Sequence, residues 1–257
     1  MNPKQAKILI VEDEKEIREL LSTRFRIFGF QTCQAENGEQ GWDFVQKDPT
    51  ITIVVTDLHM PGGSGWDLLD RCKARDPFNP RVFTITGQSQ FTAEEALARG
   101  AEGFLHKPFD ARSLLNTVRN ALLTPAERLR YPPYSSPAGS IDVEYENLDQ
   151  AFAQGELAFG RGGFFIATDL PLPSSDQIVS LNLKLGDLHL EGSGLVRWVR
   201  TDGAENKTFA GVEFVHLKNQ GAQTWQSHLE KSRYSAYLPS PAIASSMPSQ
   251  AKLKFTG

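Results

Sequence analysis

The stretch Ile51 to Gly65, ITIVVTDLHMPGGSG, restricts what this chain can fold into more than any other. It opens with Ile51, Ile53, Val54 and Val55, the β-branched composition of a strand buried on both faces, as strands of parallel sheets are. It ends on Asp57, and Pro61, Gly62, Gly63 and Gly65 then force a loop before the next helical pattern. Ligands of open parallel α/β sheets bind at the carboxyl ends of the strands, so Asp57 falls at the rim of a crevice. On this stretch alone, an aspartate capping the following helix is an equal alternative.

The flanking chain repeats the alternation. Lys7 to Val11 reads as a buried strand. A helix follows with Ile17, Leu20, Leu21, Phe25 and Phe28 on one face, closed by Gly29. Phe30 to Ala35 and Arg81 to Thr86 read as strands, and Glu102 to Leu105 as the fifth. Helical patterns cover Gly38 to Val45, Gly65 to about Ala74, Thr92 to Arg99 and Asp110 to Leu122. Five strands alternating with five helices predict an α/β fold, a five-stranded parallel doubly wound sheet over residues 1–123.

Polar residues gather at the predicted strand ends: Glu12 and Asp13 after the first, Asp57 after the third, Thr86 on the fourth and Lys107 after the fifth. Three carboxylates in one crevice repel unless a cation joins them, and all-oxygen ligation suits Mg2+. A carboxylate can attack a phosphoryl group, with the lysine and the threonine hydroxyl meeting its oxygens. Each residue also has a plainer reading. Glu12 and Asp13 could cap the first helix, Thr86 could satisfy a backbone group, and Phe104 could be ordinary core.

These residues, in VEDE, TDLHMPGGSG, FTITG and FLHKPF, resemble the signature of the receiver domains of two-component response regulators, over roughly residues 5–123. The resemblance implies a flavodoxin-like fold and phosphorylation of Asp57 by a sensor histidine kinase or phosphotransfer protein. It implies Mg2+ held by Glu12, Asp13, Asp57 and the backbone carbonyl of His59, with Lys107 and Thr86 serving the phosphate. Thr86 and Phe104 would be the switch pair. The side chains of His59 and His106 are read as variable lining.

Bulk properties narrow the function classes. Hydrophobic content of 40% and charged content of 23% are those of a soluble globular protein. No apolar run approaches the ~18 residues of a membrane span, and the N-terminal apolar segment is too short for a signal peptide. Cys33 and Cys72 fit neither a disulfide framework nor a metal knuckle, so a cytoplasmic location is expected. A net charge of −4 with no basic cluster gives no case for nucleic acid.

Residues 124–140, TPAERLRYPPYSSPAGS, read as a Pro-rich linker. The chain then changes period. Ile141 to Tyr145, Gly163 to Thr168, Ile178 to Leu185 and Thr208 to Leu217 read as strands. Gly186-Asp187 reads as a hairpin turn into LHLEGSGLVRWVR, and Gly221 to about Ser232 as a closing helix. Several short antiparallel strands and one helix predict a small barrel or sandwich over 141–235, followed by a disordered tail, 236–257.

GRGGFFIAT, LVRWVR and GVEFVHL followed by a helix resemble the PilZ domains, β-barrels that often bind cyclic di-GMP. The family's D/N-x-S-x-x-G element aligns with Ala158 to Gly163, which lacks the Asx and the Ser. Its RxxxR pair is represented only by Arg128 and Arg130, at the wrong spacing. This departure argues against cyclic di-GMP. Asp169, Asp176, Asp187, His189 and His216 lack metal-ligand spacing and no Ser, Cys or Lys of this half sits in a catalytic arrangement, so Mg2+-dependent self-phosphorylation and autodephosphorylation of the receiver are the only reactions expected. Arg161, Arg197 and Arg200 are weak candidates for an anion site, although strand arginines are usually solvated. The expected protein is a single-receiver response regulator whose second domain binds an unknown downstream protein. The alternative is a receptor integrating cyclic di-GMP with phosphorylation.

Overall fold

The computed structural model describes residues 6–147, 156–169, 171–202, 207–232 and 234–240. The chain divides into two compact units, residues 1–124 and 125–257.

The first unit alternates β1 (Lys7–Val11), α1 (Lys15–Ile27), β2 (Gln31–Ala35), α2 (Gly38–Lys47), β3 (Ile51–Asp57), α3 (Gly65–Arg75), β4 (Arg81–Thr86), α4 (Ala93–Ala98), β5 (Gly103–His106) and α5 (Ala111–Ala121). All strand pairs are parallel, in the order β2-β1-β3-β4-β5. Successive strand residues point to opposite faces, and both faces are apolar. Ile8, Ile10, Val55, Phe83 and Ile85 pack with Leu21 and Phe25 of α1 and Leu114, Leu115 and Val118 of α5. Leu9, Val11, Val54 and Val82 pack with Val45 of α2, Leu68, Leu69 and Cys72 of α3 and Ala96 of α4.

A register shift between β1 and β3 pairs Lys7 with Ile51 and Ile8 with Ile53. Thr52 is therefore an extra residue, and Ile51 and Ile53, which simple alternation puts on one face, join different cores. From β1 the chain runs outward to β2 and returns to β3 on the other side. The crevice at the carboxyl ends of β1 and β3 is thus the switch point of the sheet.

Three helix starts follow their sequence signals. Asn37, Ser64 and Thr92 accept the backbone N–H groups of Gln40, Asp67 and Glu95. The apolar face of α1 is narrower than its sequence suggests: Leu21 and Phe25 are buried, whereas Leu20 and Phe28 are about half exposed.

The second unit contains α6 (Pro125–Arg128), β6 (Ser140–Tyr145), β7 (Leu157–Phe159), β8 (Gly163–Thr168), β9 (Ile178–Leu185), β10 (Leu188–Asp202), β11 (Lys207–Leu217) and α7 (Gly221–Ser232). Its six-stranded sheet has the order β6-β9-β10-β11-β8-β7. Val179, Leu181, Leu183 and Leu185 of β9 point into one core, with Phe159, Phe164, Phe214 and, from α7, Trp225 and Leu229. The fully buried Trp225 ring lies 4.9 Å from Phe214 and 5.2 Å from Phe159. Gly186 and Asp187 link the paired Leu185 and Leu188, and Gly186 takes the positive φ of +61°.

Three expectations are corrected. The sheet is mixed rather than antiparallel throughout, because β6 pairs parallel with β9, and among the described residues β6 and β7 are its end strands, unpaired with each other. The Pro-rich stretch is not linker throughout: its start is the helical turn α6, and Leu129 is fully buried in the second unit's core. Leu129 also accepts hydrogen bonds at its carbonyl from the backbone N–H of Leu217 and the His216 ring, each at 3.0 Å. The segment after α7 is not all tail. Ala236, Tyr237 and Leu238 are buried, and Arg161 and Gly162 donate their backbone N–H groups to the carbonyls of Ala236 and Tyr237. A Cβ on Gly162 would lie 2.3 Å from the Tyr237 ring, so glycine is what admits this segment. The predicted disorder of residues 241–257 lies outside the described residues.

Candidate functional site

At the switch point, Glu12 follows β1 and is 1% exposed, and Asp57 ends β3 and is 6% exposed; Asp13 is exposed. Lys107 reaches in from beyond β5. Its ammonium donates to Asp57 Oδ2 at 2.6 Å and to Glu12 Oε2 and Oε1 at 2.8 and 3.0 Å. Glu12, Asp13 and Asp57 each offer an oxygen, all within 4.8 Å of one another, and could hold a metal ion.

The capping alternatives do not apply. The N-cap of α1 is Glu14, which makes no side-chain cap bond, and the N-cap of α3 is Ser64. The acidic residues are therefore gathered at the crevice and leave the helix starts to others. Two carboxylates 4.8 Å apart repel by about 3–4 kcal/mol at an effective dielectric of ~20, enough to favour proton, lysine or cation uptake. Burial pushes the Glu12 carboxyl up, and repulsion by Asp57 and Asp13 adds to this against the pull of Lys107. Burial alone would lower the Lys107 ammonium, but its hydrogen bonds to Asp57 and Glu12 outweigh this and raise it. A charged lysine and an all-oxygen donor set together suit a hard cation and an anionic group.

The other candidate residues of the first unit lie on or just after β3, β4 and β5. Thr86 ends β4, fully buried, with its Oγ1 accepting the Gln88 N–H at 3.0 Å and its carbonyl accepting the Lys107 N–H at 2.7 Å. Phe104 on β5 is half-buried against the α2–α4 core, its ring edge-on to His106 at 4.9 Å. The His59 side chain is exposed, and its backbone N–H donates to Asp57 Oδ1 at 2.9 Å.

Two roles at this site escaped the sequence reading, which took Gly65 only as a loop-former and did not single out Arg18. Gly65 opens α3 so close under β3 that a Cβ there would lie 1.9 Å from the Asp57 carbonyl oxygen. Arg18 of α1 is 6% exposed and donates from Nη1 to the backbone carbonyls of Glu12 and Asp13, at 2.6 and 3.1 Å. Its position was a usable signal, because residues 18, 21, 22 and 25 form the buried stripe of α1.

In the second unit the three candidate arginines do not share one pocket. Arg197 Nε lies 3.1 Å from Glu213 Oε2, and Arg161 Nε donates to the Ser235 carbonyl at 3.2 Å. Tyr237 donates its hydroxyl to Glu213 Oε1 at 2.5 Å, and the Arg161 guanidinium lies 5.8 Å from the Tyr237 ring centre. Arg128 joins this group through Tyr237 and Glu213. Arg200 instead lies over the Phe209 ring at 5.4 Å.

The model of the response regulator receiver domain matches residues 8–119. Over 117 residues the chain is 38% identical to sporulation initiation phosphotransferase F of Bacillus subtilis, covering 45% of this chain and 93% of that protein. The chain belongs to the response regulator receiver family. It is also 34% identical over 118 residues to the response regulator protein FleR of Pseudomonas aeruginosa, covering 46% of this chain but 25% of that one. The match to PilR of the same organism, 36% identical over 126 residues, covers 49% of this chain and 27% of PilR. The chain thus spans about a quarter of the length of FleR and PilR. A solved receiver domain from Clostridium thermocellum is 31% identical, covering 46% of this chain and 94% of its own, with a TM-score of 0.43. Among the described residues, no helix is long and apolar enough to cross a membrane.

Proposed function

We propose that this protein is a phosphorylation-controlled response regulator in which Asp57 is the phosphoacceptor and the second unit carries the output. The observation that supports this most is the Lys107 ammonium within hydrogen-bond distance of both Asp57 and the buried Glu12, beside a cluster of oxygen donors only.

In this reading an Asp57 carboxylate oxygen attacks the phosphorus of a phosphohistidine on a sensor kinase or phosphotransfer protein. The P–O bond forms as the P–N bond breaks, and the departing imidazole nitrogen keeps the electron pair and takes a proton from water. Glu12, Asp13, Asp57 and the His59 carbonyl would hold Mg2+, which when bound supplies positive charge to the phosphoryl oxygens. Lys107 exchanges its contact with Asp57 for one to a phosphoryl oxygen. Thr86 turns its hydroxyl toward the phosphate, and the space it leaves takes the half-buried Phe104 ring, which biases two conformations of the β4–β5 face. Hydrolysis of the acyl phosphate returns the carboxylate and inorganic phosphate. Self-phosphorylation and this hydrolysis are the only reactions we assign, in the cytoplasm.

For the output we favour a divergent PilZ-like unit that binds a protein. Arg128, Arg161 and Arg197 are engaged by Glu213, Tyr237 and the Ser235 carbonyl, which supports this over the cyclic di-GMP alternative. Two experiments test the proposal. With acetyl phosphate and Mg2+, the wild type should take up phosphate and Asp57→Asn should not; equal uptake by the variant would refute the assignment. Calorimetric titration of cyclic di-GMP, with and without beryllofluoride, should give no heat; micromolar binding would make the dinucleotide the second unit's ligand.

A further inference from the structure

We propose that Arg18 is a positioning residue for the acidic site, fixing the backbone of Glu12 and Asp13 so that their carboxylates face Asp57 and the cation. The proposal rests on the phosphoacceptor reading given above.

Arg18 sits in the first turns of α1 with its guanidinium turned back under the β1–α1 turn. One nitrogen, Nη1, takes both the Glu12 carbonyl at 2.6 Å and the Asp13 carbonyl at 3.1 Å. Each carbonyl is rigidly part of a planar peptide unit, so holding two in succession fixes two peptide planes. The Cα–Cβ directions of Glu12 and Asp13 follow from those planes. The neighbouring backbone bonds, Glu12 N–H to Ala35 and Arg18 N–H to Glu14, flank these planes without gripping their carbonyls.

The other nitrogen, Nη2, reaches Glu36 Oε1 at 3.1 Å, on the turn between β2 and α2. The Glu36 side chain is 68% exposed, and an ion pair so wet contributes little to stability. The salt bridge does not explain why a guanidinium is kept at this depth. Burying the charge is unfavourable, and an apolar side chain of similar volume would serve stability as well or better. What methionine or leucine could not supply is the hold on the two carbonyls. Outer partners of this kind typically change metal affinity about 10–100-fold when removed.

The test uses the full chain and Mn2+ as the probe, its free fraction read by electron paramagnetic resonance, together with phosphate uptake from acetyl phosphate. Arg18→Met should weaken Mn2+ binding by about tenfold or more, while the uptake rate at saturating metal stays within about twofold of wild type. Arg18→Lys keeps the charge but not the fork, and should fall between the two. A lower melting temperature with unchanged Mn2+ affinity would make Arg18 a structural residue and overturn the proposal. So would a rate loss that saturating metal does not restore. Should Arg18→Met not fold, Arg18→Lys decides, and wild-type affinity in that variant overturns the assignment. A wild-type protein that binds no Mn2+ would instead remove the reading of the site itself.

Discussion

Gly65→Ala tests how tightly the phosphoacceptor is held. The added Cβ would lie 1.9 Å from the Asp57 carbonyl oxygen and 2.8 Å from Thr56 Oγ1, where ordinary contact begins at 3.4 Å. The α3 start and the β3 end must therefore separate by about 1.5 Å. Gly65 is not among the glycines with positive φ, so the cost is contact rather than backbone conformation. Overpacking of this sort costs about 1–3 kcal/mol, and misplacing a reacting group by ~1 Å costs about 100-fold in rate. The expected result is a folded protein, melting roughly 3–12 °C lower, that takes phosphate from acetyl phosphate about 100-fold more slowly. Gly29→Ala is the control. Its φ of +90° makes alanine strained, but its Cβ meets nothing within 4 Å, so it should lose stability and keep the labelling rate. Wild-type labelling by Gly65→Ala would refute the claim that this close approach sets the position of Asp57.

Other regions make further predictions. Lys73 and Glu102, each 4% exposed at the side chain, are paired at 3.1 Å, and Glu102 also accepts the Val82 N–H at 2.7 Å. Glu102→Ala should cost about 3–5 kcal/mol in urea unfolding of the first unit, and the double variant Lys73→Met/Glu102→Leu should recover part of it, the Val82 N–H being left without its acceptor; additive losses of the two single changes would contradict this. In the second unit, burial and then Lys231 lower the His228 imidazole, which stacks on Trp225 at 5.2 Å. The unfolded chain therefore binds that proton first as pH falls. Stability of the second unit should be flat above pH 6.5 and decline below it toward the folded value, and His228→Gln should remove the decline as read by Trp225 fluorescence. A decline persisting in the variant would place its origin elsewhere.

Much of the first unit was legible because its signals are local. The runs KILIV and ITIVV, with acid at their ends, can serve as buried parallel strands and little else, and the crevice follows from the order of the strands. The bulge at Thr52 was not legible, since Ile51 and Ile53 look alike until the β1 register separates them. Arg18 was hidden by the habit of reading arginine as solvated surface, although it lies on the buried stripe of α1. In the second unit, the alternation of β9 and the Gly186-Asp187 turn read correctly. The parallel pairing of Ser140 to Tyr145 with β9 could not, because it joins residues about forty apart. Composition misjudged Leu129 and Tyr237 for a related reason: Pro-rich and small polar surroundings conceal single anchors whose partners are distant. The Gly160-Arg161-Gly162 run, aligned with a ligand-binding element, proved to be the cradle of the chain's own Ala236–Tyr237 segment.

The central claim, phosphate on Asp57, is tested most directly by locating the phosphoryl group. The full chain would be incubated with acetyl phosphate and Mg2+, reduced with borohydride to convert an aspartyl phosphate to homoserine and a glutamyl phosphate to 2-amino-5-hydroxypentanoate, and mapped by peptide mass spectrometry. The account predicts conversion at Asp57 alone, dependent on the divalent cation. Conversion at Asp13 or Glu12, or none at any carboxylate, would contradict it.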